Sequence, residues 1–279
     1  MNLAQALHSI ARRYCQERSK FWQRQAAELR QKASQVHNRV PYQQQLPVCY
    51  GRSRVLILIC SEVERLDPDE LEDLEDTRRL ILSAGREAKE TKPRANMVKS
   101  LAFEYVQTQP GPSTQAAIEQ ERIAFFAYIQ NLSNSQLQSA QPLPYQRVLS
   151  PAESEAMWSR LRRQWQIIGN LWYPLSKCSL PNIVAFQSDA FEDFCSSASL
   201  SDLLLSAGVT RIWELHEYGI EYVQDVSLFD PVYSTYEGYW SSENLDWIVY
   251  ASHEESVTVG GWLLESIKTQ WQGWEQHIW

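Results

Sequence analysis

Residues 245–271, LDWIVYASHEESVTVGGWLLESIKTQW, decide the fold of the C-terminal half of the chain. Two runs rich in apolar and β-branched residues, 246–252 and 256–259, flank the polar triplet 253–255. Runs of this kind joined by a short polar break are typical of a β-hairpin. After a glycine pair, apolar residues recur three and four positions apart, which predicts a helix. The stretch therefore predicts two antiparallel strands followed by a helix that covers one face of their sheet.

The region before this hairpin has further strand signals. Residues 211–216 and 221–227 alternate between apolar and polar side chains around a glycine, which predicts a second hairpin. More strands are predicted at residues 182–187 and near Tyr239. Ser150 opens a helix, because a proline follows it and a glutamate lies three residues on. We predict an α+β fold, in which an N-terminal helical bundle precedes an antiparallel sheet packed with helices on one side.

Charge and tryptophan are distributed unevenly along the chain. Residues 1–54 contain ten Lys/Arg and two Asp/Glu, a net charge of +8, whereas residues 55–145 contain nine and fourteen, a net charge of −5. Residues 146–279 contain seven and eighteen, a net charge of −11. Only Trp22 precedes residue 146, and the other ten tryptophans follow it. Two compositions predict two domains, a helical one at residues 1–145 and an acidic, Trp-rich α+β domain at residues 146–279.

The N-terminal half contains a series of helical patterns. Residues 55–66 fit one helical face, and a buried strand at residues 55–60 is the alternative. No Gly-rich phosphate-binding turn follows that run, so nucleotide binding is not predicted. Two prolines predict a loop over residues 40–51, and a Ser/Asn/Gln-rich composition predicts a linker over residues 133–144. Other helices are predicted at residues 3–35, at residues 67–83 with Asp67 as the cap, at residues 97–105 and at residues 117–132.

Several functional classes lack their signatures in this sequence. Unbroken apolar runs such as residues 55–60 are far shorter than the ~20 residues that cross a bilayer, so no membrane segment is predicted. The N-terminus lacks the apolar core of a signal peptide, which predicts a cytoplasmic protein. The five cysteines are scattered and form no C-x-x-C pair, so neither a disulfide framework nor a zinc site is expected. We predict no cofactor and no metal.

The C-terminal half combines negative charge with an excess of aromatic residues. We predict that it binds a protein with a basic surface, because aromatic side chains anchor interfaces and complementary charge steers association. The predicted contact residues are Trp240, Trp247, Glu254, Glu255 and Trp262. Inhibition or immunity is one such role. A tryptophan-rich core is the alternative explanation for these aromatic residues.

An enzyme is the second hypothesis for the same half. His216 lies between Glu214 and Glu217, and His253 precedes Glu254 in a second His/Glu cluster. If the two hairpins bring these clusters together, one histidine can act as a base oriented by a carboxylate, or both can bind a metal. The candidate catalytic residues under this hypothesis are His216, Glu217, His253 and Glu254.

The first predicted helix supplies a third hypothesis. Seven Lys/Arg residues spread along residues 12–32, as in an arm that binds nucleic acid. We consider nucleic acid an unlikely partner, because no aromatic platform or nucleic-acid fold signature accompanies the charge. If the acid-rich residues 69–76 neutralise this helix, the hypothesis is removed.

Residues 245–271 also carry a resemblance to known proteins. Over about the last quarter of the chain, the sequence resembles the C-terminal part of small uncharacterised bacterial α+β proteins, some of which look like antitoxin or immunity partners. The resemblance implies an interaction role and carries no catalytic residues. The residues on which it depends are Asp246, Trp247, Ser252, His253, Glu254, Gly260, Gly261 and Trp262.

Overall fold

A computed structural model describes residues 1–36, 39–88, 110–197, 199–233 and 236–279 of the chain. The chain divides into two compact units, Met1–Leu143 and Pro144–Trp279, close to the boundary expected from composition. The first unit is helical and the second contains an antiparallel sheet with helices, so the predicted α+β fold is confirmed. None of the described helices combines the length and the apolar content that crossing a bilayer requires.

The first unit is a bundle of long helices around one apolar core. Leu7, Leu56, Ile59, Ile81 and Phe125 are fully buried at its centre. The predicted helix at residues 97–105 lies outside the described residues. The helices are α1 (Leu3–Ser34), α2 (Val40–Val63), α3 (Leu74–Glu87), α4 (Pro112–Gln130) and the short α5 (Asn134–Gln138).

Helix α2 corrects two predictions. Residues 40–51 are helical and not a loop, and the strand considered at residues 55–60 is part of the same helix. Pro41 lies in the first turn, where a backbone N–H has no helical acceptor, so it does not oppose the helix. Pro47 lies inside α2 and removes one hydrogen bond, but burial of residues such as Leu56 and Ile59 favours the helix as a whole.

Competing caps shift two other boundaries. Asp67 caps only a single 3₁₀ turn, Pro68–Glu70, and α3 starts later because Asp73 accepts a hydrogen bond from the Asp76 backbone N–H. The linker predicted at residues 133–144 contains α5, which begins with a capping box between Ser133 and Gln136.

The second unit is built on a seven-stranded sheet with the order β1-β4-β3-β5-β6-β7-β2, in which each neighbouring pair is antiparallel. The predicted capping box of Ser150 and Glu153 is present at the start of its first helix. The strands are β1 (Gln146–Val148), β2 (Ile183–Gln187), β3 (Arg211–His216), β4 (Tyr222–Asp225), β5 (Gly238–Ser241), β6 (Trp247–Ser252) and β7 (Ser256–Gly261). The helices are α6 (Pro151–Trp165), α7 (Ser188–Ser197), α8 (Leu200–Ser206) and α9 (Trp262–Gln270).

Both faces of the sheet are covered, which corrects the expectation of helices on one side only. All six residues of β6 are buried, and Trp247 and Val249 belong to the core cluster beneath α7, α8 and α9. Ile248 and Tyr250 point to the other face and belong to a second cluster that includes residues of α6. Because β6 is apolar on both of its faces, a second helical layer is needed to bury it.

The backbones of β6 and β7 approach each other closely at the end of the hairpin that leads into α9. At the helix end, Gly261 has a φ of +77°, and a Cβ there would overlap the backbone oxygen of Asp246. The absence of a side chain at Gly261 therefore permits this close approach of the two backbones. The outer edge of β2, beside the hairpin, pairs with residues 278 and 279. A β-bridge joins Phe186 to Ile278, and the Trp279 N–H donates a 2.9 Å hydrogen bond to the Ala185 carbonyl.

Candidate functional site

Two of the predicted contact tryptophans are core residues. Trp240 is 2% exposed and Trp247 is fully buried, both on the sheet face that α7, α8 and α9 cover. The prediction that they contact a partner is therefore wrong for the folded protein, because no partner reaches them. Trp262 is partly buried and packs edge-on against Trp247, with 6.4 Å between ring centroids.

The remaining predicted contact residues lie at opposite ends of one hairpin. The β6–β7 register pairs Ser252 with Ser256 next to the turn and Trp247 with Gly261 at the far end. Glu254 and Glu255 are exposed in the turn, whereas Trp262 follows the far end. Six residues of extended strand span about 20 Å, so Trp262 and the two glutamates do not form one contact patch.

The turn of this hairpin has a defined conformation. The hydroxyls of Ser252 and Ser256 lie 3.0 Å apart, and the Ser252 hydroxyl also accepts a hydrogen bond from the Glu254 N–H at 3.1 Å. Glu255 adopts a left-handed φ of +55°. These hydrogen bonds to and between the two hydroxyls hold the turn in one shape, so the side chains of residues 253–255 project from a fixed backbone.

His253 connects this turn to a buried carboxylate that the sequence reasoning missed. Glu237 is only 2% exposed, and its Oε1 accepts hydrogen bonds from the His253 ring Nδ1 and, at 3.3 Å, from the His253 backbone N–H. The hydrogen bond to Glu237 raises the pKa of His253, and the charges of Glu237, Glu254 and Glu217 add to the rise. Burial of the imidazole opposes the rise.

The strand pairing explains how Glu237 comes to lie beside His253. Glu237 precedes β5 and His253 follows β6, and the two strands are antiparallel with Gly238 opposite Ala251. Residues just before one such strand and just after the other necessarily meet. The available signal was thus the β5–β6 pairing, which cannot be inferred from residues 245–271 alone.

Glu217 belongs to the same end of the sheet. Its backbone N–H donates to the Glu237 carbonyl at 2.9 Å. Burial raises the pKa of the Glu217 carboxyl, and the negative charge of Glu237 adds to this, whereas a hydrogen bond from Tyr218 and the charge of His253 oppose it. The structure thus brings together Glu217, Glu237, His253 and Glu254.

His216 is separate from this group. Its Nε2 lies 2.7 Å from Glu214, which also accepts a 2.5 Å hydrogen bond from Gln224, and its ring lies 6.3 Å from the core residue Trp240. Because side chains alternate along a strand, His216 and Glu217 lie on opposite faces of the sheet. The two predicted His/Glu clusters therefore converge only in part, because Glu217 joins His253 and Glu254 whereas His216 does not.

This arrangement restricts the chemistry that His253 can perform. Its Nδ1 faces Glu237 and its Nε2 lies 3.2 Å from Glu254, so both ring nitrogens face carboxylates. Two facing carboxylates favour the doubly protonated ring, in which neither nitrogen has a free lone pair. A general base requires such a lone pair to accept a proton. Within the described ranges of the chain, no group of three or more His, Cys, Asp or Glu side chains has an arrangement that could hold a metal ion.

An exposed tryptophan lies beside the hairpin turn. Trp279 is 50% exposed, and its indole N–H donates a 2.9 Å hydrogen bond to the Glu254 carbonyl. On the other side, the Ser188 N–H donates to the Glu255 carbonyl at 2.9 Å, and the exposed Asp189 follows in the first turn of α7. We call Asp189, Glu254, Glu255 and Trp279 the acidic tip.

The basic residues of α1 are partly neutralised inside the first unit. Arg12 forms a buried ion pair with Glu64 at 3.0 Å. Arg18, together with Arg52 of α2, pairs with Glu121, which is fully buried. Glu64 and Glu121 thus neutralise Arg12 and Arg18, and these two arginines serve packing within the bundle.

Comparisons of the chain with protein-family models, curated proteins and solved structures found no match. The geometry of the acidic tip and of the His253 group is therefore the basis for a functional proposal.

Proposed function

We propose that the C-terminal unit is a non-catalytic binding module whose acidic tip contacts the basic surface of another protein. The observation that carries this proposal is the hydrogen bond between the Trp279 indole and the Glu254 carbonyl. It holds a half-exposed aromatic ring against a turn that presents two exposed carboxylates. An aromatic anchor with charges around it is a common composition of protein interfaces.

The charge of the whole unit supports the same partner class. Residues 146–279 contain eighteen acidic and seven basic residues, a net charge of −11. A field of this sign raises the association rate with a basic protein and repels acidic ones. Trp279 takes the anchoring role first assigned to Trp240 and Trp247.

An inhibitor or immunity role suits such a module, because blocking a basic protein requires a complementary surface and no turnover. We further propose that it acts in the cytoplasm. The five cysteines are free thiols, and a reducing compartment maintains thiols in that state.

The proposal is tested with the immobilised full chain as bait for a host lysate at low and high salt. The wild type should retain a basic protein at low salt and release it at high salt. Glu254→Lys/Glu255→Lys should weaken binding of that protein at least about tenfold, which corresponds to about 1.4 kcal/mol.

A matched control separates the tip from the overall charge. Glu155→Lys/Glu243→Lys changes the charge by the same amount at exposed positions elsewhere on the unit and should leave binding nearly unchanged. If both double variants lose the partner equally, the interaction depends on net charge alone. If neither loses it, the acidic tip is not the contact surface.

A further inference from the structure

The ring of His253 lies between two carboxylates of very different exposure. On the Nδ1 side, the side chain of Glu237 is 2% exposed, and on the Nε2 side, that of Glu254 is 52% exposed. The imidazole itself is half exposed, so it exchanges protons with solvent directly. One partner is therefore fixed in the protein interior, and the other is free to move into water.

The protonated and the neutral ring of His253 interact differently with Glu237 and Glu254. Doubly protonated, the ring donates its Nδ1–H to Glu237, and its positive charge attracts Glu254, whose Oε1 lies 3.2 Å from Nε2. Neutral, it has a single N–H, and the buried Glu237 requires that donor more strongly, because a buried carboxylate without a donor is costly. The Nδ1–H tautomer then points the lone pair of Nε2 at Glu254, and a lone pair repels a carboxylate oxygen.

We propose that His253 is a proton-operated latch, which pins the Glu254 side chain to the hairpin turn when protonated and releases it to solvent when neutral. The Glu237 bond persists in both states, so the strand ends stay together while the turn side chain changes position. The moving part is thus a single carboxylate of the acidic tip.

The groups that face the ring come from several elements. Glu237 precedes β5, Glu217 follows β3 and Glu254 follows His253 in the turn. The ring of Tyr233, from the segment before β5, lies 6.5 Å from the imidazole centroid. Three facing groups are carboxylates, which stabilise the cationic ring and raise the pKa of His253 above its ordinary value.

The latch has a consequence for binding that rests on the proposed function. Below the switching pH, the histidine cation compensates a carboxylate of the acidic tip, and above it the tip has more uncompensated negative charge. Affinity for a basic partner should therefore rise with pH across the titration of His253. The test below uses the chain alone, so its outcome is independent of whether such a partner binds.

The experiment is a pH titration of the full chain by NMR, which follows the ring nitrogens of His253 and the side-chain carboxyl carbon of Glu254. The ring midpoint should lie above 6.5, the neutral ring should be the Nδ1–H tautomer, and the Glu254 signal should shift with the same midpoint. Glu254→Gln should lower the His253 midpoint by about half a unit, since an exposed carboxylate contributes modestly.

Glu255→Gln is the matched control, because Glu255 is a neighbouring exposed carboxylate on the same turn whose removal should leave the His253 midpoint unchanged. Two results would overturn the proposal: an Nε2–H tautomer at high pH, or equal midpoint shifts in the two variants. Both substitutions are at exposed positions, so folding is not at risk.

Discussion

Acid should destabilise the helical unit through one buried histidine. His8 of α1 is 1% exposed, its Nε2–H donates to the Val63 carbonyl at 3.1 Å, and its Nδ1 is buried without a hydrogen-bond partner. Burial lowers the pKa of His8 to about 4, and the charge of Arg12 adds to this, whereas the Val63 hydrogen bond and Asp67 oppose it. A proton placed on this ring is therefore a buried cation beside another cation.

The sign and size of the effect follow from linkage. The pKa of His8 is lower in the folded chain than the 6.5 of an unfolded chain, so its contribution to stability is fully present above about pH 6.5 and is lost as the pH falls towards 4. Between about pH 7.5 and about pH 5, the free energy of unfolding should fall by about 2 kcal/mol on this account. That is a large part of the stability of a small domain.

Urea unfolding followed by far-ultraviolet circular dichroism measures this loss in the full chain. His8→Gln is the control, because glutamine can keep an N–H donor towards Val63 and does not titrate. The wild type should lose about 2 kcal/mol more than the variant on acidification. If both lose the same amount, or if the His8 ring titrates near 6.5 in an NMR experiment, the reasoning is refuted.

Two further substitutions test the packing of each unit. Glu121→Gln removes the buried charge that pairs with Arg18 and Arg52. In urea unfolding it should lower the free energy of unfolding by about 3 kcal/mol. Unchanged stability would mean that these ion pairs make no net contribution to stability. Gly261→Ala should destabilise the second unit by about 2 kcal/mol or more in thermal unfolding followed by tryptophan fluorescence, because φ is +77° and the Cβ overlaps Asp246. Gly208→Ala is its control, at a φ of +84° with open space around the Cβ, and a loss as large there would show that backbone strain alone explains the effect.

Sequence patterns correctly predicted the helices and hairpins that depend on interactions between residues close together in the chain. The start of α6 follows from Ser150 and Glu153, and the two predicted hairpins follow from alternation and turn residues, so the structure contains all of them. The first part of helix α2, residues 40–51, was missed because Pro47 argues against a helix locally, whereas burial of α2 in the bundle is a tertiary effect. The helix that covers the second sheet face was not assigned for a similar reason, since α6 is far from β6 in sequence.

Only some residues of the candidate site could be predicted from the sequence. Glu254 and Glu255 were found because they interrupt an apolar pattern, and the structure leaves both exposed. Glu237 was missed because its role depends on the pairing of β5 with β6, which no residue pattern within either strand specifies. Trp240 and Trp247 were misassigned because composition reveals how many aromatic residues a unit has, whereas their burial depends on the helices that cover the sheet.

The pairing of residues 278 and 279 with β2 has a consequence for aggregation. A strand at the border of a sheet presents a row of backbone donors and acceptors, and an uncovered row is a template on which another chain can add a strand. Here Ile278 and Trp279 occupy part of that row on β2. The residue that supports the hairpin turn through its indole thus also helps to block edge-to-edge growth of the sheet through its backbone, and loss of this short segment would open a route to fibrous association.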